Sequence, residues 1–127
     1  MDGSQPAGSV QDQMWRCIDL CLSAHHMCLA TAMHRIELGG EAADLAQVRL
    51  LLDCAELCQT HANLMSRQSE FHVRVSPLCA EACNRAATAC EMLKDDPQAQ
   101  ACAKACRLAS ESCEKMTYAG SALGATA

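Results

Sequence analysis

Aromatic residues are almost missing from this chain: Trp15, Phe71 and Tyr118 are the only ones in 127 residues. Valine and isoleucine are scarce too, and a sheet draws on both classes to pack its pleated faces. A sheet-based fold is therefore disfavoured, and the core has to come from Leu, Ala, Met and Cys on closely packed helices. There is no basic run and no aromatic platform between basic residues, which argues against nucleic-acid binding. The net charge of −5 reads as solvated outer helix faces. No apolar run approaches the ~20 residues that cross a bilayer, so no membrane partner is expected. The opening MDGSQPAGSVQDQ lacks a basic region, an apolar region and a twin arginine, and the expected location is cytoplasmic. No nucleophile sits with a base, no Gly-rich phosphate loop is found and no carboxylates pair recognisably, so the chain does not read as an enzyme.

What is present in excess is cysteine, eleven in all. The segment CAEACNRAATAC places Cys79, Cys83 and Cys90 at offsets 0, +4 and +11. The offsets recur at Cys17, Cys21 and Cys28 (CIDLCLSAHHMC) and at Cys102, Cys106 and Cys113 (CAKACRLASESC). A fourth copy, CAELCQTHANLM, keeps Cys54 and Cys58 and puts Met65 at the third place. On a helix these offsets fall within roughly 40° of one another, so each copy lines one narrow face with sulfur. The intervening +7 places are Ala24, His61, Ala86 and Ala109.

Half the residues are hydrophobic, and the length suits one domain with a real core. The expected fold is all-α: an antiparallel up-down-up-down four-helix bundle with a Cys-lined core over residues 10–118, between tails at 1–9 and 119–127. The first helix runs from Val10 to Leu38 and stops at Gly39 and Gly40. The second spans about Glu41 to Arg67, with Leu50, Leu57 and Leu64 beside its sulfur face. The third, capped by Ser69, ends near Lys94; Pro77 either kinks it or marks a start at Ser76. Asp96 and Pro97 open the fourth, which reaches about Tyr118. Counting outward from the turns puts Cys28, Cys54 and Cys83 level with Ala109, and Cys21, Cys58, Cys79 and Cys113 on the next level. Cys90 and Cys102 lie toward the Gly39–Gly40 end; Cys17, Met65, His72 and Met116 lie toward the other.

Disulfides are disfavoured by the odd count and by the i,i+4 spacing, which holds Cβ atoms farther apart than the ~3.8 Å a bridge favours. Cysteine can also act as a small buried hydrophobe, which would make the chain a non-metal interaction bundle. A Cys/Ala column fills a bundle less well than Leu, so stability alone gives no reason for it. The functional reading is a soft metal ion. Structural zinc sites use C-x2-C knuckles on loops and iron–sulfur clusters use similar loop runs. C-x3-C on a helix places two sulfurs one turn apart, a gap that a two-coordinate Cu(I) ion can bridge. Zinc and iron–sulfur binding remain the metal alternatives. His61 and His72 fall on the inward series beside Met14, Met65 and Met116, where His and Met could hand ions to the thiolates; His72 could equally be a polar end residue. His25, His26 and His34 read as surface residues.

The run MSRQSEFHVRVSPLCAEACNRAATACEMLKDDPQAQACAKACRLASESCEKM, with the repeats before it, resembles the cytosolic copper storage proteins over about Met14 to Met116. The resemblance implies a bundle lined with thiolates that hold several Cu(I) ions per chain, assembled as a homotetramer and loaded by a copper chaperone or chelator donor. It implies Cys17–Cys21, Cys54–Cys58, Cys79–Cys83 and Cys102–Cys106 as bridging pairs within helices. Cys28, Cys90 and Cys113 would complete sites with neighbouring helices, and Met65 and His61 complete the candidate ligand set. The sequence departs from the family at Ala24, Ala86, Ala109 and Ser76, where relatives often carry further cysteines, and at His61, which replaces one more.

Overall fold

A computed structural model describes residues 9–124, with side chains to residue 117; the tail expected at the N-terminus lies almost wholly outside the described residues. Four helices follow in order: α1 Val10–Leu38, α2 Leu45–Ser66, α3 His72–Glu91 and α4 Pro97–Gly124. Each packs on two neighbours, α1 on α2 and α4, and α3 on α2 and α4, around a central axis. The pairings run in opposite directions along neighbours. Cys17 meets Cys113 while Cys28 meets Cys102, and Cys54 meets Cys83 while Cys58 meets Cys79. The bundle is antiparallel and up-down-up-down, as the short connections require.

Local chemistry sets the helix ends. Ser9 caps α1 by accepting from the Asp12 N–H, and Gly39, at φ 70°, takes the left-handed conformation that stops it. The second helix starts at Leu45 rather than Glu41, because Asp44 accepts from the Gln47 N–H and Gly40–Ala43 forms a 3-10 turn. The Asp44-x-x-Gln47 spacing is a capping signature that hydrophobic periodicity does not register. Ser69 stands three residues before α3, and its hydroxyl accepts from the Phe71 N–H. The helix begins at His72 and carries Pro77 in its second turn, so a start at Ser76 is not observed. It ends at Glu91, short of Lys94, where the Gln100 side chain donates to the carbonyls of Cys90 (3.2 Å) and Leu93 (2.9 Å). Asp96 caps α4 by accepting from Ala99 N–H, as its place before Pro97 indicates. The fourth helix continues past Tyr118 to Gly124.

All eleven cysteines are buried and free. Around them the core is mostly alanine, with Ile18, Val48, Leu51, Met65 and Met116 as its larger apolar members. Leu50 and Leu57 are only half-buried and pack on the outside of this core. The usual order of a bundle is inverted: the axis is sulfur and the leucines flank it.

The Gly39–Gly40 end is closed by charge. Arg35 donates to Asp96 (2.8 Å) and to the Ala42 carbonyl (3.1 Å), and Gln98 donates to the buried Thr31 hydroxyl. Burial alone would raise the Asp96 carboxyl; the Ala99 N–H and Arg35 outweigh it and hold it below its ordinary value. A depressed carboxyl contributes stability above the unfolded carboxylate range, lost as pH falls through the lower, folded value. Asp96→Asn should therefore cost about 2 kcal/mol at neutral pH. The deficit against the unmodified protein should shrink on acidification, as read by urea denaturation across pH.

Candidate metal centre

Each helix brings its repeat to the axis, and the sulfurs meet there. Four groups of donor atoms lie within 4.8 Å of one another: Cys17 with Cys21, Cys113 and His61; Cys21 with Cys58 and Cys79; Cys54 with Cys58 and Cys83; and Cys28 with Cys102 and Cys106. Cys58 is a hub, 3.4 Å from Cys83 and 3.8 Å from Cys79. Cys21 likewise links two groups. On the opposite wall Cys28 lies 3.5 Å from Cys106 and 3.8 Å from Cys102. Three sulfurs around one ion at about 2.3 Å would stand roughly 4 Å apart, so these spacings suit shared soft-metal coordination with little movement.

The expected level of Cys21, Cys58, Cys79 and Cys113 is observed, with Cys21 and Cys113 3.6 Å apart. The level of Cys28, Cys54 and Cys83 is observed too, with Cys54 3.6 Å from Cys83 and hydrogen-bonded with Cys28, but its thiols divide among different partners. Cys28 is gathered with Cys102 and Cys106 across the α1–α4 interface, while Cys54 and Cys83 pair across α2–α3. Counting from turns gives the level but not which helices are neighbours around the axis, and adjacency decides the grouping within it. Within helices, Cys17 and Cys21 stand 3.9 Å apart, and Cys54–Cys58 and Cys102–Cys106 fall inside common groups. Cys79 and Cys83 are brought together through Cys58. Cys90 is the one thiol outside the four groups, with Cys102 as its hydrogen-bonding neighbour.

The thiols share protons unequally. Hydrogen bonds from Cys113 and Cys21 hold Cys17 down at about 3, against burial, which pushes the other way. Cys113, on the donor side, is pushed up by Cys17. Cys106 and Cys28 likewise hold Cys102 low, and Cys28 is pushed up by Cys102. A thiol that keeps its proton gives it up to an incoming soft cation, because the thiolate is the ligand.

His61 is fully buried, its Nδ1 3.4 Å from Cys113 and 3.7 Å from Cys21. His72 is buried against it, the rings stacked with centroids 6.2 Å apart. Burial, and then the proximity of His61, pull the His72 pKa down, which keeps its ring neutral at neutral pH. His72 is thus a core residue of the Cys17 end. Met65 is buried one turn beyond His61 on α2, and Met116 three residues beyond Cys113 on α4. Of the surface histidines, His26 is exposed, His34 pairs with Asp96, and His25 is half-buried against the Ala55 carbonyl at 2.7 Å. Ser76 occupies an inward place without sulfur, and its hydroxyl donates to the Cys113 carbonyl at 2.6 Å. That bond fixes α3 against α4 beside the thiols; a serine on a cysteine face was its only sequence signal.

A sequence model of the copper storage protein family matches residues 4–118. The chain belongs to the copper storage protein family. Solved structures agree with the match. A crystal structure of a protein from Nitrosospira multiformis is 36% identical, with TM-score 0.78, covering 84% of this chain and 96% of its own. A Cu(I)-bound copper storage protein, BsCsp3, is 28% identical, with TM-score 0.78, covering 83% of this chain and 98% of its own. No curated protein sequence matches the chain. Among the described residues no helix is long and apolar enough to cross a membrane.

Buried thiols react only when the bundle opens. After full reduction and anaerobic removal of the reductant, a disulfide reagent should titrate eleven thiols per denatured chain. In the native protein the reaction should run at least about 100-fold slower than with free cysteine. Rapid reaction of several native thiols would contradict the packing described.

Proposed function

We propose that this protein stores Cu(I) by drawing several ions per chain into the thiol column, for detoxification or for later supply. The observation that carries the reading is the set of four donor groups, three of them sharing members, that take in ten of the eleven buried cysteines. Membership of the copper storage family and the Cu(I)-bound relative support it. Donors that face inward on a folded bundle suit sequestration rather than turnover, and thiolates favour Cu(I) over harder ions. Ions enter at the Cys17 end, where His61, His72, Met65 and Met116 are gathered; the opposite end is shut by Arg35 and Asp96. A cytoplasmic location, a homotetramer and loading from a chaperone or chelator donor follow from the family resemblance. Leu29, Met33 and Ile36, exposed along one face of α1, offer apolar surface for self-association.

Two-thiolate sites set a floor of about five ions per chain, and bridging thiolates a ceiling of about eleven. An anaerobic Cu(I) titration against a competing chelator should end in that range and release protons, with affinity falling as pH falls. Fewer than two equivalents, with zinc or iron bound tightly instead, would contradict storage.

Because Cys58 is shared by two groups and Cys90 belongs to none, the two thiols should differ in weight. Cys58→Ser should remove about one to two ions, and Cys90→Ser about one or none. Copper-to-protein ratios of the two variants check this.

A further inference from the structure

The donor group at the Cys17 end differs from the other three in kind. The others are three thiols each; this one has four donors, and the fourth is an imidazole nitrogen. Its sulfurs stand 3.9 Å (Cys17–Cys21), 3.9 Å (Cys17–Cys113) and 3.6 Å (Cys21–Cys113) apart. His61 Nδ1 lies 3.7 Å from Cys21 and 3.4 Å from Cys113, and within 4.8 Å of Cys17. A tetrahedral ion with metal–sulfur bonds of about 2.3 Å and a metal–nitrogen bond of about 2.0–2.1 Å has S···S edges of about 3.8 Å and S···N edges of about 3.5 Å. Five of the six edges match to a few tenths of an ångström, and the sixth, between Cys17 and His61, lies within 4.8 Å. Three soft thiolates and one imidazole in a closed tetrahedron are a donor set suited to zinc rather than to two-coordinate Cu(I).

A second observation concerns the ring. His61 is fully buried, and its Nε2 has no hydrogen-bond partner. Leaving such a nitrogen unpaired carries a cost of roughly 1–3 kcal/mol, and alanine at this +7 place, as in the other three helices, would avoid it. The ring also crowds the thiols with the nitrogen that is a ligand when neutral. With Nδ1 as ligand the proton stays on Nε2, so what aims the ring at the thiols is its stacking on His72 and the Nδ1 contacts to Cys21 and Cys113.

From this geometry we infer that Cys17, Cys21, Cys113 and His61 form a preorganised site for one divalent ion of the zinc class. The site is separate in chemistry from the all-thiol groups and lies at the end where copper enters. Binding displaces protons from those of the three thiols that carry them, and the imidazole donates its Nδ1 lone pair; no oxidation or reduction is involved. Because Cys21 also belongs to the group with Cys58 and Cys79, an ion held here withholds one ligand from the column. Zinc and copper therefore compete at this end, and Cu(I), with its stronger preference for thiolate, displaces zinc as the column fills.

The test uses the reduced, metal-free full chain under anaerobic conditions, titrated with Co2+ and then Zn2+. One equivalent of Co2+ should give the visible bands of tetrahedral cobalt together with thiolate charge transfer, and one equivalent of Zn2+ should abolish them. X-ray absorption of the zinc form should show three sulfurs and one nitrogen. His61→Ala should weaken Co2+ binding at least tenfold and lose the tetrahedral bands. His61→Cys should retain tetrahedral bands with shifted charge transfer, and His26→Ala should change nothing. Octahedral cobalt, several weak equivalents, or a zinc shell without nitrogen would overturn the inference, and the wild-type absorption data decide it even if a variant fails to fold. Cu(I) capacity measured on the same sample separates the two proposals. Full Cu(I) loading without tetrahedral cobalt removes this inference alone, whereas tetrahedral cobalt with under two Cu(I) equivalents removes the storage reading alone.

Discussion

Sulfur-to-sulfur contact along the bundle axis is the constraint on which everything else in this protein rests. A bundle normally closes on leucine, whose bulk fills the space between helices; here the axial places hold cysteine and alanine. Small side chains allow the four backbones to approach, and the approach is what brings thiols on different helices to 3.4–3.9 Å. The same substitution gives up apolar burial, roughly 0.8 kcal/mol for each methylene group that leucine would have added. The rest of the structure compensates at its edges. Leu50 and Leu57 flank the column, Arg35 and Asp96 lock one end, and Ser76 ties α3 to α4 beside Cys113.

Under the proposed function this imbalance has a purpose. A column of thiols in a folded scaffold needs little rearrangement to accept soft cations, and each ion bound to the native form alone adds to its stability by mass action. Protons leave as ions enter, so occupancy, charge and stability are linked along one axis. The two ends differ accordingly. One carries the Arg35–Asp96 ion pair, and the other collects imidazole and thioether side chains near the first thiols.

Much of this was legible in the sequence because the decisive signal is a spacing. Offsets of 0, +4 and +11, repeated once per helix, specify both the element and its inward face. Gly39 and Asp96–Pro97 mark ends that the structure keeps. The errors arose where a side chain far along the chain or outside the hydrophobic period decides the outcome. Gln100 caps the carbonyls of α3 from the next helix, and Asp44 starts α2 four residues later than its apolar pattern begins. Partner choice among the thiols was likewise hidden, because Cys28 joins Cys102 and Cys106 only through the adjacency of α1 and α4. His72 could be read from sequence as either end residue or core; its stacking on His61 depends on how α2 and α3 meet.

The most direct test of copper storage in the column is an anomalous difference map at the copper edge from crystals of the Cu(I)-loaded protein. The account predicts several strong peaks inside the bundle, each within bonding distance of two or three of the cysteine sulfurs, with Cys58 touching more than one ion. Peaks confined to surface histidines such as His26 and His34, with an axis free of anomalous density, would contradict it.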